Sequence, residues 1–354
     1  MMHSIRDFRK YLADQIDQEC KSGQRRNIIV LAVDGIDYTH AQSAWPDVTL
    51  EQAVSVFPST SSTAWLSALT GASVDDHGIP GVVFRMGPRE MVNIFEYQGA
   101  LNAPQLATIF TDATDLGYAA CAVLGDWEDY PGPWRNMLLN GASLVRGHRF
   151  YTHTGKVTAS GIVGQVEHAI GHALDGPIGG NLIWCFVDID RHIHKHGYDE
   201  HVRDVLAGLD GLARRWVQTG HCVIAHSDHG LVETSDHSEY GAQIDALMKR
   251  HNVEMGGAGR VRWLYADGDR PLIENLMGEL QTIFGADAIV SEKDTFFRKG
   301  SPAYQRVGDV VIVAQGTDFL CDTEYTFEHG SWTQAEREAM LATWHSTDLA
   351  SVGA

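Results

Sequence analysis

Four short segments of this chain concentrate side chains that can hold a metal ion. Asp188-Ile189-Asp190-Arg191-His192-Ile193-His194-Lys195-His196-Gly197 follows directly on an apolar run, and within it Asp190 and His194 stand four residues apart. A carboxylate and an imidazole at that spacing, at the end of a strand, can converge on one ion, and Zn²⁺ accepts both ligand types. Ser227-Asp228-His229-Gly230 also closes an apolar run, Asp34-Gly35 ends the first such run, and His329-Gly330 stands alone near the C-terminus. Taken singly, each is also what a polar loop with solvated histidines looks like. Together, Asp34, Asp190, His194, Asp228, His229 and His329 supply six nitrogen and oxygen ligands, enough for two ions sharing one nucleophile.

A nucleophile is available in Phe57-Pro58-Ser59-Thr60-Ser61-Ser62-Thr63, a hydroxyl cluster leading into the apolar-patterned Ala64 to Leu69 and stopping at Thr70-Gly71. A hydroxyl at a helix start faces free backbone N–H groups and the positive end of the helix dipole, which favour a phosphoryl group. The same cluster also serves as an ordinary helix N-cap. A base or a metal beside it would make it catalytic, and residue type alone does not rank its five hydroxyls.

These residues need a scaffold that brings them to one place. Asn27 to Val33 is a nearly continuous apolar run of the kind a buried parallel strand produces, and Tyr118 to Leu124, Leu182 to Val187 and Cys222 to Ala225 repeat it. Asp199 to Val217 carries Val202, Val205, Leu206, Leu209, Leu212, Ala213 and Trp216 at helical spacing and reads as a crossover helix. Alternating strands and helices predict an α/β fold with a mostly parallel central sheet and helices on both faces. Ligands then bind beyond the carboxyl ends of the strands, where Asp34, Asp188, Asp190 and Asp228 fall.

The texture changes from Glu233 to Glu324, with helix-like Tyr240 to His251 and Pro271 to Phe284 and strand-like Val261 to Tyr265 and Asp309 to Ala314. The expected organisation is an N-terminal helical extension (1–26), a catalytic core (27–232 and 325–354) and an inserted, cap-like α+β subdomain (233–324). Gln334 to Trp344 reads as a helix. Loops on a rigid core commonly carry specificity, so insertion aromatics such as Phe296 and Tyr304 are expected to select substrate.

Composition narrows the partners. The 354 residues are 44% apolar, with no low-complexity tract or obvious repeat, as in a globular protein. A net charge of −19 argues against a nucleic-acid polymer or an anionic membrane as partner, and 18 histidines make metal a reasonable suspect. Cys20, Cys121, Cys185, Cys222 and Cys321 are odd in number and far apart, which predicts buried thiols rather than a disulfide framework. The charged N-terminus lacks an apolar signal segment and no run is long enough to span a membrane, so a cytoplasmic location is expected. Oligomeric state is not encoded in any of these features.

The order and spacing of the blocks resemble the alkaline phosphatase superfamily, most closely its type I phosphodiesterase/nucleotide pyrophosphatase branch. The resemblance runs from about Asn27 to Met340. It rests on VDG around Asp34, FPSTSSTAWLSALTG, DHGI at Asp76 to Ile79, the D-x-x-x-H-x-x-G spacing of Asp190, His194 and Gly197, SDHG, and HGSWT at His329 to Thr333. It implies the alkaline phosphatase-like fold and two divalent ions, Zn²⁺ with Mn²⁺ as the alternative. One ion would be held by Asp190, His194 and His329, the other by Asp34, Asp228 and His229. Ser61 would stand beside the second ion as nucleophile and ligand, since it keeps the family distances to Pro58 and Gly71; many relatives have Thr there. Asp188, His192 and His196 would be supporting or surface residues.

The implied substrate is a small phosphorylated molecule, a nucleotide or another phosphodiester, cleaved through a phosphoseryl enzyme. Nucleotide-cleaving relatives often carry Lys before the nucleophile, an aromatic after it and Asn shortly after the HGI block; here those positions hold Thr60, Ser62 and Val82. A phosphomonoesterase, phosphonate hydrolase or phosphomutase is the alternative. A monoester would call for an added cation, for which Arg85, Arg89, Arg191 and Lys195 are the sources. A sulfatase is disfavoured because Ser61-Ser62-Thr63-Ala64-Trp65 lacks C/S-x-P-x-R, and a silent metal- or ligand-binding protein on the same fold is the remote alternative.

Overall fold

The apolar runs assemble side by side. In the computed structural model, which describes residues 2–125, 127, 132–142, 144–146, 157–174, 180–235, 238–317 and 324–345, β1 (Ile28–Asp34) lies between β7 (Asn181–Asp188) and β8 (Cys222–His226), parallel to both. β5 (Ala119–Val123) pairs in parallel with β7 and with β6 (Leu144–Arg146). Register aligns Asp34 with Asp188 and Ala32 with His226, so the chain leaves three neighbouring strands at one level. The acids and imidazoles that follow those strands therefore start from one edge of the sheet.

Both faces of β1 are buried because successive residues feed opposite layers. Ile28, Val30 and Ala32 pack with helices Phe8–Ser22, Ser61–Thr70 and Ile109–Asp115. Ile29, Leu31 and Val33 pack with helices Ala159–Leu174 and Glu200–Gln218. The stripe read from the sequence at Asp199 to Val217 is the buried face of that last helix.

The C-terminal segment departs from its sequence reading. Only Gln334–Arg337 is helical, and β15 (Glu338–Trp344) runs antiparallel between β8 and β2 (Thr49–Val54), completing the order β2-β15-β8-β1-β7-β5-β6. Glu-Ala-Met-Leu-Ala-Thr-Trp contains good helix formers, but the slot between two strands, where Ala339 to Ala342 are buried on both faces, overrides that preference.

A second sheet has six strands, each antiparallel to its neighbours. Segment 233–324 supplies β10 (Glu254–Ala258), β11 (Val261–Tyr265), β12 (Ala288–Glu292) and β13 (Val310–Ala314), while β3 (Val83–Gly87) and β4 (Glu90–Asn93) come from the chain that follows the hydroxyl cluster. Two short strands, β9 (Val232–Glu233) and β14 (Phe327–Glu328), pair antiparallel and fasten the returning chain beside the 228–229 loop. Cys20, Cys121, Cys185 and Cys222 are free thiols, the last three buried; Cys321 lies outside the described residues. Among the described residues no helix is long and apolar enough to cross a membrane.

Candidate metal centre

Each of the six ligand candidates arrives from a strand end or an adjoining turn. Asp34 is the last residue of β1, and Asp228 and His229 follow β8 by two and three residues. Asp190 opens the helix Asp190–His196, where a spacing of four puts it on the same face as His194; its Oδ2 is 3.1 Å from His194 Nε2. His329 follows β14. Three buried triads result: Asp34, Asp228 and His229; Asp190, His229 and His329; and His194, Glu328 and His329.

The imidazoles are oriented from behind. His194 Nδ1 donates to the Phe327 carbonyl at 2.8 Å, His329 Nδ1 to the Ser59 carbonyl at 2.7 Å, and His229 Nδ1 to the Gly230 carbonyl at 3.3 Å. A carbonyl only accepts, so Nδ1 carries a proton in each ring and Nε2 is turned into the cluster, the arrangement found where backbone groups fix metal-ligating histidines. A second tie joins the His329 loop to the hydroxyl cluster, because Gly330 N donates to Ser59 Oγ at 3.2 Å and Ser59 N to the Gly330 carbonyl at 3.3 Å.

Ser61 is the first residue of its helix, and its Oγ lies 3.4 Å from Asp34 Oδ1 and 3.2 Å from His229 Nε2. The other four hydroxyls turn elsewhere. Ser59 is bound to the His329 loop, Thr60 contacts Ser62 and Thr63, and Thr63 donates to the Ile79 carbonyl. Thr60 takes the N-cap position without a side-chain cap bond.

Electrostatics set these groups against one another. Burial, then the neighbouring Asp228, Asp190 and Asp188, pushes the Asp34 carboxyl well above its usual range; Asp228, also chiefly through burial, is raised to about 8. Burial lowers His229 to about 4 and His329 to about 3. Burial also disfavours both ions of the Asp190 and His194 pair, but their mutual attraction outweighs it, lifting His194 to about 10 and holding Asp190 below the carboxylate range.

The residues present fit divalent cations. Asp190 Oδ1 and Asp228 Oδ2 are buried with no hydrogen-bond partner, and Asp228 Oδ2 faces His229 Nε2 at 3.2 Å with the imidazole proton on the far side. A carboxyl whose proton burial retains up to about pH 8, facing a neutral imidazole nitrogen, is a site where a cation can take the proton's place.

A cavity of about 270 Å³ opens over the cluster, with Ser61, Arg191, Phe95, Trp127 and Tyr325 in its lining. Segment 233–324 contributes Ala258 and Gly259 there, not Phe296 or Tyr304. Phe296 packs against Phe57 at 5.1 Å in a cluster that includes Trp332, and Tyr304 lies under Lys293 Nζ at 4.8 Å. Neither residue lines the cavity over the cluster. Asp188 reaches the cavity wall, His192 is bound to Asp199 at 3.0 Å, and His196 is exposed. Glu328 was not among the sequence candidates although it adjoins His329; its Oε1 comes within 3.6 Å of His194 Nδ1 because β14 pairs with β9.

No family model and no curated protein sequence matches the chain. Solved structures share its fold. A phosphonoacetate hydrolase from Sinorhizobium meliloti 1021, in complex with phosphonoformate, is 20% identical with a TM-score of 0.64 over 90% of each chain. Murine ectonucleotide pyrophosphatase/phosphodiesterase 5 is 14% identical with a TM-score of 0.63, covering 89% of this chain and 87% of its own. The human protein of that name is 14% identical with a TM-score of 0.64, over 90% of this chain and 88% of its own.

Proposed function

We propose that this chain is a metal-dependent hydrolase of phosphate esters in the alkaline phosphatase superfamily, acting through a phosphoseryl intermediate on Ser61, with a small phosphodiester as substrate. The observation that carries this reading is the placement of Ser61 Oγ against Asp34 and His229, at the mouth of a buried cluster whose carboxylate oxygens lack partners. The fold neighbours support it: one is a phosphonoacetate hydrolase, and an inactive form of the murine protein was solved with AMP.

Two divalent ions, Zn²⁺ on this mixed imidazole and carboxylate set with Mn²⁺ as alternative, would be held by Asp34, Asp228 and His229 and by Asp190, His194 and His329, supplying charge that favours the Ser61 alkoxide and neutralises phosphoryl oxygens. The chain's own contribution is position. Ser61 occupies a helix start, where backbone N–H groups without intrahelical acceptors face a phosphoryl oxygen. Its oxygen loses a proton and bonds to phosphorus as the ester oxygen opposite departs and gains one. Water then attacks the same phosphorus, the Ser61 bond breaks, and the hydroxyl is restored. Two in-line displacements give retention at phosphorus.

Turnover of a chromogenic phosphodiester tests the proposal. It should vanish with a chelator, and Ser61→Ala should lower it by about three or more orders of magnitude while leaving metal content intact. Activity that survives both treatments would sink it.

A further inference from the structure

Four cations are candidates for reading a substrate's additional charge, and the fold distributes them unequally. Arg85 is held by Glu254 at 2.7 Å and Asp267 at 2.5 Å in the second sheet. Arg89 lines a separate cleft beside β3, and Lys195 points to Glu324 at 3.4 Å. Arg191 alone among the described residues brings a Lys or Arg to the lining of the cavity over the cluster. Its backbone N–H is fixed on Asp188 Oδ1 at 3.2 Å, and its guanidinium has no hydrogen bond or ion pair with any described residue.

An unpaired guanidinium at the rim of an acidic cavity is a ready acceptor for a planar anion, which it can grip with two parallel N–H groups. Its place in the sequence indicates which end of the substrate it meets. Ser61 contacts the Asp34 and His229 side of the cluster, so in-line attack sends the leaving group toward Asp190 and His194, on the helix that carries Arg191. We infer that Arg191 recognises a second anionic group, a carboxylate or phosphate, on the leaving group, so that the preferred substrates are phosphoryl compounds with such a group. This rests on Ser61 being the nucleophile. The other walls, Phe95, Trp127 and Tyr325, offer apolar surface to the part of the substrate between its two charged ends.

The test uses the full chain loaded with zinc and two diesters, methyl 4-nitrophenyl phosphate and its ring-carboxylated counterpart, with wild type and Arg191→Gln. Comparing both proteins on both esters cancels the difference in leaving-group reactivity. The substitution should lower kcat/KM for the carboxylated ester about 10- to 100-fold more than for the neutral one, mainly through KM, and Arg191→Lys should recover part of the difference. Equal losses on the two esters, no loss on either, or a fall in zinc content would overturn the assignment. If wild type turns over neither ester, the hydrolase reading fails on its own, and calorimetry still decides the role of Arg191. Tighter binding of 3-phosphonopropionate than of methylphosphonate, abolished in Arg191→Gln, upholds it; equal binding of the two probes by wild type refutes it.

Discussion

Gly35 takes a left-handed conformation, φ 77°, immediately after Asp34, and a Cβ there would meet Asp190 Oδ1 at 2.9 Å and a Leu231 methyl at 3.0 Å. Its N–H donates to Asp228 Oδ1 at 3.3 Å, so one residue both makes room for one carboxylate and steers another. Gly35→Ala should therefore weaken metal binding at least tenfold while the folded chain persists, as titration with a zinc indicator would measure; unchanged affinity would show that the turn tolerates the methyl. His77, in the DHGI block, has a different role. It is fully buried, accepts the Ile79 N–H at 3.1 Å and bonds Ser67 Oγ at 3.0 Å, and burial lowers its pKa from 6.5 to about 3. The folded state thus refuses a proton that the unfolded chain accepts below about pH 6.5, so stability is full above that value and lost as pH falls toward 3, by up to about 1.4 kcal/mol per pH unit. His77→Phe should cost about 1–3 kcal/mol at neutral pH through unpaired neighbours. It should also reduce the stability difference between pH 7.5 and pH 5 by about 2 kcal/mol in urea unfolding. Parallel pH profiles for the two proteins would refute this.

At the scale of elements, the loop carrying His329 is clamped to the second sheet by a fully buried ion pair, Arg260 Nε to Glu336 Oε1 at 3.1 Å. Arg260 N also donates to the His329 carbonyl at 2.9 Å, and Glu336 Oε1 accepts the Ser331 N–H at 2.9 Å. Arg260→Met leaves Glu336 buried without its partner and should cost about 3–5 kcal/mol, with much of it recovered in Arg260→Met/Glu336→Gln. Calorimetric melting of the two variants checks this, and equal melting points would mean the pair itself is not what holds the loop. The parallel strands and the long helix were legible because each is a sustained pattern of one period. β15 was not, since Met, Leu and Ala suit a helix until a slot between two strands claims them. Among site residues, those directly after apolar runs were legible. Glu328 depends on the β9–β14 pairing, and Phe95, Trp127 and Tyr325 reach the cavity from outside the sustained apolar runs of the sequence.

For the whole molecule, the cluster is a tie between distant parts of the chain, joining the end of β1, the helix after β7, the loop after β8 and the segment after β14. Its buried carboxylates, Asp34, Asp190, Asp228 and Glu328, face one another and three imidazoles, with no Lys or Arg side chain bonded to them among the described residues. Without cations, that concentration of buried acid groups opposes folding; bound cations would let it fasten four segments. A ligand that binds only the folded chain stabilises it by about 4 kcal/mol at a thousandfold excess over its Kd. Zinc should accordingly raise the melting temperature of the chelated protein by several degrees. Asp228→Asn separates the two effects. The amide keeps an oxygen for the Gly35 N–H yet removes a carboxyl that folding must protonate well above its usual pKa, so the chelated variant should melt above the chelated wild type, while its gain on adding zinc should shrink. Differential scanning calorimetry of both proteins, with chelator and with zinc, measures all four states. A variant that melts lower than wild type under chelator and gains as much from zinc would mean that Asp228 stabilises the fold without holding a metal.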